Sequence, residues 1–251
     1  MSRYGRDWKP ERILMESEKI IAVIPARTGS KRLPKKNVLP LAGRPCIEWT
    51  LDAVCESKEV SHVAVSTDDS TVQKIVSRYD DVELIQRPRN LGQDESSTVD
   101  VVLHVLDVLK DQDQRFSWLL LLQPTSPLRT TRHIDEAVRL VRKKGADGLI
   151  SICRAGHPRE WIAPTTPGES LESFFSETEL QKSASELSTS YTVNGAIYLI
   201  RSSVFEEEKT FFPMRNIIGY EMDRRYSVDI DDLYDFELAE WSLRALPGNQ
   251  A

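Results

Sequence analysis

Short apolar runs of strand length alternate along this chain with stretches whose apolar positions recur every three or four residues. Residues 20–24 predict a strand, 44–57 a helix, 62–66 a strand, 70–79 a helix and 82–85 a strand. Across 96–110, Val99, Val102, Leu103, Leu106 and Leu109 fall on one helical stripe, with Ser96 or Ser97 placed to cap its start. Residues 118–122 are apolar on every side, as in a central parallel strand. Ile134, Ala137, Val138 and Val141 then mark one face of a further helix, and 149–153 reads as another strand. Such alternation predicts an α/β fold: a doubly wound, mostly parallel, Rossmann-like sheet with its ligand at the carboxyl ends of the strands.

Between 154 and 192 the alternation stops. This segment is rich in Pro, Ser, Thr and Glu and is too long for a simple connection, so it reads as an excursion: a lid, a flap or a dimerisation arm. The pattern resumes with a strand at 196–200, an amphipathic stretch, an extended segment over 220–229 and a last helix from Asp231. Residues 1–18 are polar without sustained periodicity and read as an N-terminal extension; 247–251 reads as a frayed tail. The expected organisation is one domain from 19–154 and 193–246, interrupted by the 155–192 excursion, and 251 residues suffice for its core.

A net charge of −6, with 40% hydrophobic and 29% charged residues, places the chain among soluble globular proteins and argues against general binding to nucleic acid or anionic membranes. No apolar run is long enough to span a bilayer and the first twenty residues lack a signal-type apolar core, so a cytoplasmic protein is expected. Cys46, Cys55 and Cys153 lack metal-ligand spacing and read as reduced, mostly buried thiols; the four histidines are scattered, which leaves no zinc site to argue for.

Four polar loops follow predicted strand ends. After the first strand, Pro25 opens into residues 26–37, which hold one glycine, the hydroxyls of Thr28 and Ser30, and five cations: Arg27, Lys31, Arg32, Lys35 and Lys36. Such a composition suits a polyphosphate and makes a nucleotide the first ligand to consider, although the spacing is not that of the kinase-type phosphate loop. The competing reading is a basic surface turn. At 123–129, Gln-Pro-Thr-Ser-Pro-Leu-Arg, two prolines stiffen a turn that presents Gln123, Thr125 and Ser126, unless its role is only to lead into a helix capped by Thr130 or Thr131. The loop from Arg87 to Thr98 ends at a helix start, which suits an oxyanion or a base edge; taken by itself it reads first as a plain solvated cap. Finally, Asp229 and Asp231 point to one side if 227–231 is extended, an arrangement that can hold Mg²⁺; Asp231 or Asp232 can also cap the last helix. Asp68 and Asp69 form a similar pair, read mainly as a cap.

With these residues in hand, the chain resembles the acylneuraminate cytidylyltransferases, also called CMP-sialic acid synthetases. The resemblance runs from about Ile20 to Trp241 and rests on Ile24-Pro-Ala-Arg27 through Asn37, Ser66-Thr-Asp68, the Gln123–Arg129 turn, Asn194-Gly-Ala-Ile-Tyr198 and Ser227-Val-Asp-Ile-Asp231. It implies a nucleotidyltransferase sheet and transfer of CMP from CTP to the anomeric hydroxyl of a sialic-acid-like nonulosonic acid, releasing pyrophosphate. By the same resemblance Ala26, Arg27, Ser30 and Lys31 meet the triphosphate, and Asn37, Arg87, Ser96 and Ser97 fix the cytidine and ribose. Gln123, Asn194 and Tyr198 would face the sugar, Asp229 and Asp231 would bind Mg²⁺, and the excursion would build a homodimer.

Two departures matter. Thr28 stands where the family usually has glycine, and no arginine pair precedes Asn194; Lys182 is the cation nearest that place, with Arg154 and Arg159 as further candidates. The acceptor is thereby left open among sialic, legionaminic and pseudaminic acids, another sugar acid or a phosphonate. A glycosyltransferase and a non-catalytic nucleotide sensor are the readings from other classes.

Overall fold

A computed structural model describes residues 18–93, 96–172, 174, 182–183 and 185–246. The expected extension up to residue 17, the tail over 247–251 and most of 173–181 lie outside the described residues.

Nine strands and six α-helices are described. The first half holds β1 (Ile20–Pro25), β2 (Pro40–Leu41), β3 (Arg44–Pro45), α1 (Cys46–Cys55), β4 (His62–Thr67), α2 (Ser70–Val76), β5 (Val82–Gln86) and α3 (Thr98–Asp111). It is followed by β6 (Trp118–Leu121), α4 (Thr131–Lys144), β7 (Gly148–Arg154), β8 (Tyr191–Arg201), α5 (Ser202–Glu208), β9 (Ile217–Glu221) and α6 (Leu233–Ala245).

Seven strands form one sheet in the order β5-β4-β1-β6-β8-β7-β9. Only β8 runs against its neighbours, so the sheet is mostly parallel and the carboxyl ends of β1, β4, β5, β6 and β7 share one edge. Alternation along β1 sorts its side chains between two layers. Ile20, Ala22 and Ile24 pack toward Ile47 and Leu51 of α1, Val72 of α2, and Ile134 and Val138 of α4. Ile21 and Val23 pack with Leu119 and Leu121 toward Val102, Val105 and Leu109 of α3 and Phe205 of α5. Helices on both faces bury the central strands completely, the doubly wound α/β sheet the periodicity predicts.

A third, smaller cluster bears on the site. Leu33 from the basic loop and Leu41 from the β2–β3 hairpin pack with Cys46, Leu128, Ile230, Ala239 and Leu243. Burying such side chains stabilises by roughly 1.5–3 kcal/mol each, enough to hold a charged loop against its own repulsion. Residues on either side of Leu33 are thus free to face the sheet edge.

Several boundaries differ from expectation. The helix read over 44–57 is Cys46–Cys55, because Arg44 and Pro45 pair with Pro40 and Leu41 in an antiparallel hairpin. The helix read over 70–79 stops at Val76. The extended segment read over 220–229 is a strand at Ile217–Glu221 followed by a 3₁₀ turn at Arg224–Tyr226, where Asp223 accepts from the Arg225 amide. The last helix begins at Leu233 with Asp232, not Asp231, as N-cap; Asp235 closes the capping box. Cys46 and Cys153 are buried and Cys55 is exposed; all three are free thiols.

Candidate active site

A cavity of about 830 Å³ opens at the carboxyl ends of β1 and β6. Its basic wall carries Arg27, Ser30, Lys31 and Arg32, and Lys36 and Asn37 also line it. The 26–37 loop is held in shape by bonds to distant parts of the chain. The Thr28 amide donates to Asp68 Oδ1 at 2.8 Å, Ala26 N–H to the Ser66 carbonyl at 2.9 Å, and Asn37 Nδ2 to the Arg27 carbonyl at 3.1 Å. Asn37 is buried, so it braces the turn as well as lining the cavity. Thr28 is not among the residues with positive φ, so glycine is not required there.

The aspartate pair after β4 divides its labour. Asp69 caps α2 by accepting from the Thr71 amide at 2.7 Å, whereas Asp68 orders the basic loop. A β-carbon on Gly92 would come within 2.8 Å of Asp68 Oδ2, so that glycine lets the loop after β5 close onto the same carboxylate. Arg87, which also lines the cavity, is buried and donates to the Ser66 hydroxyl at 3.2 Å and carbonyl at 2.8 Å. Burial pulls its pKa down to about 10, with nearby Asp68 opposing the shift. It stays cationic at neutral pH. Ser96 and Thr98 line this side; Ser97 does not, and instead caps α3 by accepting from the Asp100 amide at 3.0 Å.

The cavity is also lined by Gln123 and Thr125 from the turn after β6. Ser126, expected to face the cleft, is fully buried and takes no part in the lining. Beneath the turn lies Arg129, also fully buried, whose guanidinium donates to the Ala196 carbonyl and the Thr50 hydroxyl at 2.8 Å each and to the Gln123 carbonyl at 3.4 Å. Burial pulls its pKa down to about 9. Thr130 caps α4, its amide donating to His133 Nδ1 at 3.1 Å, and burial holds His133 down at about 4, a neutral acceptor at neutral pH.

Asp229 and Asp231 complete the cavity although no strand places them there. The Ile230 amide between them donates to the Thr125 carbonyl at 2.8 Å, which ties the segment to the β6 turn. Burial pushes the Asp229 carboxyl above its ordinary range, partly offset by a hydrogen bond from Thr125, and Oδ1 has no hydrogen-bond partner among the described residues. Gly195 sits against it with φ +74°; a β-carbon there would lie 3.0 Å from Asp229 Oδ2 and 3.4 Å from Gln123 Oε1. Asp231 is more open and meets Arg32 at 2.8 Å and Lys36 at 3.4 Å. Cations from the first loop and carboxylates from near the end of the chain therefore converge on one cavity.

The sequence profile of the cytidylyltransferase family matches residues 21–246. The chain belongs to that family. It is 36% identical over 222 residues to the N-acylneuraminate cytidylyltransferase of Escherichia coli O18:K1:H7, covering 88% of this chain and 51% of that protein. It is 31% identical over 226 residues to the CMP-N,N'-diacetyllegionaminic acid synthase of Legionella pneumophila, covering 88% of this chain and 95% of that one. The chain spans about half the length of the N-acylneuraminate cytidylyltransferases of Escherichia coli and Streptococcus agalactiae that it matches. A solved CMP:2-keto-3-deoxy-manno-octonic acid synthetase complexed with CTP shares the fold, with a TM-score of 0.62 at 19% identity, over 89% of this chain and 97% of that one.

In this cytidylyltransferase family member, three residues expected near a sugar stand outside the cavity lining. Asn194 is buried, donates to the Ser227 hydroxyl at 2.9 Å and accepts from Ser151 at 2.6 Å; it joins β8, β7 and the segment leading to Asp229. Tyr198 packs edge-on against Phe211 and Phe212, and burial together with nearby Asp229 raises its pKa. Lys182 lies exposed in the excursion. Asp68 and Arg129 are residues that sequence reasoning treated as cap and turn; only their place inside the quoted motifs marked them.

Proposed function

We propose that this protein transfers CMP from CTP to the anomeric hydroxyl of a nonulosonic acid of the sialic, legionaminic or pseudaminic type, with release of pyrophosphate. The observation that carries this reading is the meeting of Arg27 and Lys31 with Asp229 and Asp231 in one cavity at the sheet edge. Attack on the α-phosphorus builds negative charge on its oxygens and on the departing pyrophosphate. Arg27 and Lys31 are placed to stabilise that charge more than the ground state, and the cationic Arg87 adds a field from below. Ala26 and Ser30 shape the phosphate loop, and Asn37, Ser96 and the Ser97 turn would receive the cytidine and ribose. Gln123, carrying both donors and an acceptor, faces the acceptor sugar, with Asn194 and Tyr198 supporting that wall from behind.

Asp229 and Asp231 would hold Mg²⁺. The fit lies in the donor set: hard carboxylate oxygens on one cavity, one of them, Asp229 Oδ1, buried without a hydrogen-bond partner among the described residues. Two carboxylates are too few to enclose a metal ion, so Mg²⁺ held by them would keep waters and take phosphate oxygens as its other ligands. When bound, Mg²⁺ would neutralise charge on the triphosphate and polarise the α-phosphorus.

The acceptor side rests on the relatives. The Legionella synthase is matched along nearly its whole length and the Escherichia protein with higher identity, so legionaminic and sialic acids are the first candidates. Lys182, in place of an arginine pair, would meet the acid's carboxylate. We assign 19–154 with 193–246 to the nucleotidyltransferase domain and 155–192 to a dimerisation excursion. The exposure of Trp161, Ile162, Tyr191 and Val193 in and beside that segment supports a homodimer. No described helix is long and apolar enough to cross a membrane, and a cytoplasmic setting fits the CTP substrate.

The test combines thermal stabilisation by each nucleoside triphosphate, with and without Mg²⁺, and pyrophosphate release with a panel of sugar acids. CTP with Mg²⁺ is expected to raise the melting temperature most. Absence of pyrophosphate release with every acid rejects the reaction.

A further inference from the structure

Arg32 has no part in the assignment above, yet it stands on the cavity wall between Lys31 and the buried anchor Leu33. Its guanidinium meets Asp231 Oδ2 at 2.8 Å, and among the described residues Asp231 is its one polar partner. The arginine side chain is 67% exposed, so the contact lies at the mouth of the cavity. Lys36 reaches the other oxygen of Asp231 at 3.4 Å, but it also donates to the Ile230 carbonyl at 2.9 Å and is mostly buried. One carboxylate is thus shared by two cations, while Asp229 Oδ1, two residues away, has no hydrogen-bond partner among the described residues.

A divalent ion on the two aspartates would compete with both cations for Asp231. Lys36 has a second anchor and can stay. Arg32 has none, and an exposed ion pair of this kind is weak enough to break readily. Once displaced, its guanidinium remains on the cavity wall, where its planar set of donors suits phosphate oxygens. Resting on the CTP-transfer reading, we propose that Arg32 is a further triphosphate-binding residue, held on Asp231 until a divalent ion takes that carboxylate and then turned to the phosphates.

The exchange has a signature that a merely structural ion pair lacks: removal of Arg32 must move metal and nucleotide affinities in opposite directions. Mn²⁺ is titrated into the nucleotide-free wild type and the Arg32→Ala variant while free ion is followed by electron paramagnetic resonance, with Asp231→Asn identifying the ion that belongs to this site. CTP affinity is measured calorimetrically in Mg²⁺. Arg32→Ala is expected to bind Mn²⁺ about three- to fivefold tighter, because a competitor is gone. The same variant is expected to bind CTP at least about tenfold more weakly, and Arg32→Lys to recover part of that loss. Unchanged or weaker Mn²⁺ binding, or unchanged CTP affinity, overturns the assignment of Arg32 alone. A wild-type protein that binds no CTP overturns the nucleotide reading and this inference with it.

Discussion

The Thr28 amide reaches a carboxylate 40 residues away and Lys36 a carbonyl 194 residues away, while in the described part of the excursion the Thr166 amide bonds Glu169 and the Ser183 amide bonds Glu186, three residues on. Among the described residues, the base of the excursion is fastened by the Ala155 and Arg159 amides to Ser190 and by the Tyr191 hydroxyl to Glu221. The two regions are built for different tasks. Loops at the strand ends are cross-braced through buried polar groups, so a single chain can set their geometry before any ligand arrives. Described residues of the excursion are mostly exposed, which suits a segment completed by a partner or a substrate. Nucleotide chemistry should therefore depend on the first region, and acceptor choice on the second.

Asp229→Asn puts the largest strain on that division. The substitution removes the buried member of the carboxylate pair and is expected to lower kcat for pyrophosphate release by about 10²–10³-fold. Stability should move the other way. Burial raises the Asp229 pKa above its ordinary value, so the ionised form costs folding free energy at neutral pH. The cost disappears as pH falls below the ordinary carboxylate range, where folded and unfolded chains are both protonated. Asparagine should thus raise the melting temperature at pH 7 and leave it nearly unchanged near pH 3. A variant that melts lower at pH 7 would make Asp229 a structural group and break the contrast between a site braced for chemistry and an exposed excursion.

Gly195→Ala tests the same region through the backbone. With φ at +74°, a non-glycine residue costs on the order of 1–2 kcal/mol, and the new methyl would push on Asp229 Oδ2 at 3.0 Å. A loss of about ten- to a hundredfold in kcat with a modest fall in melting temperature is expected from steady-state assays and thermal melts. Unchanged kcat would mean that the spacing of Asp229 and Gln123 is not set by this contact.

What the sequence disclosed follows the same line between local and distant causes. The strands at Ile20–Pro25, His62–Thr67 and Trp118–Leu121 were legible because burial on both faces demands unbroken apolar runs. The hairpin of Pro40–Leu41 with Arg44–Pro45 was not, because two-residue strands carry no period and prolines argue against pairing. In the last strand, Ile217 and Ile218 belong to the sheet, whereas Asp223 accepts locally and stops the extended segment before the carboxylates. The convergence of Arg27 with Asp229 was legible through motif order, but the tie from Thr28 to Asp68 was not, since no local pattern encodes a bond across 40 residues. Arg129 was read as the end of a turn because arginine is rarely fully buried, and its three carbonyl and hydroxyl acceptors come from separate elements.

Lys182→Ala is the mildest test and addresses the excursion alone. The residue is exposed and lies outside the cavity lining of a single chain, so its removal should leave CTP affinity within about twofold of wild type. If it meets the acceptor's carboxylate, through closure of the segment or from a second copy, KM for the sugar acid should rise about three- to tenfold with kcat little changed, because a lone lysine contributes binding in ground and transition states alike. Steady-state assays varying each substrate in turn separate the two constants. A matching loss in CTP affinity would place Lys182 among the nucleotide contacts and erase the boundary between the regions; no change in either constant would move acceptor recognition to Arg154, Arg159 or the Gln123 wall.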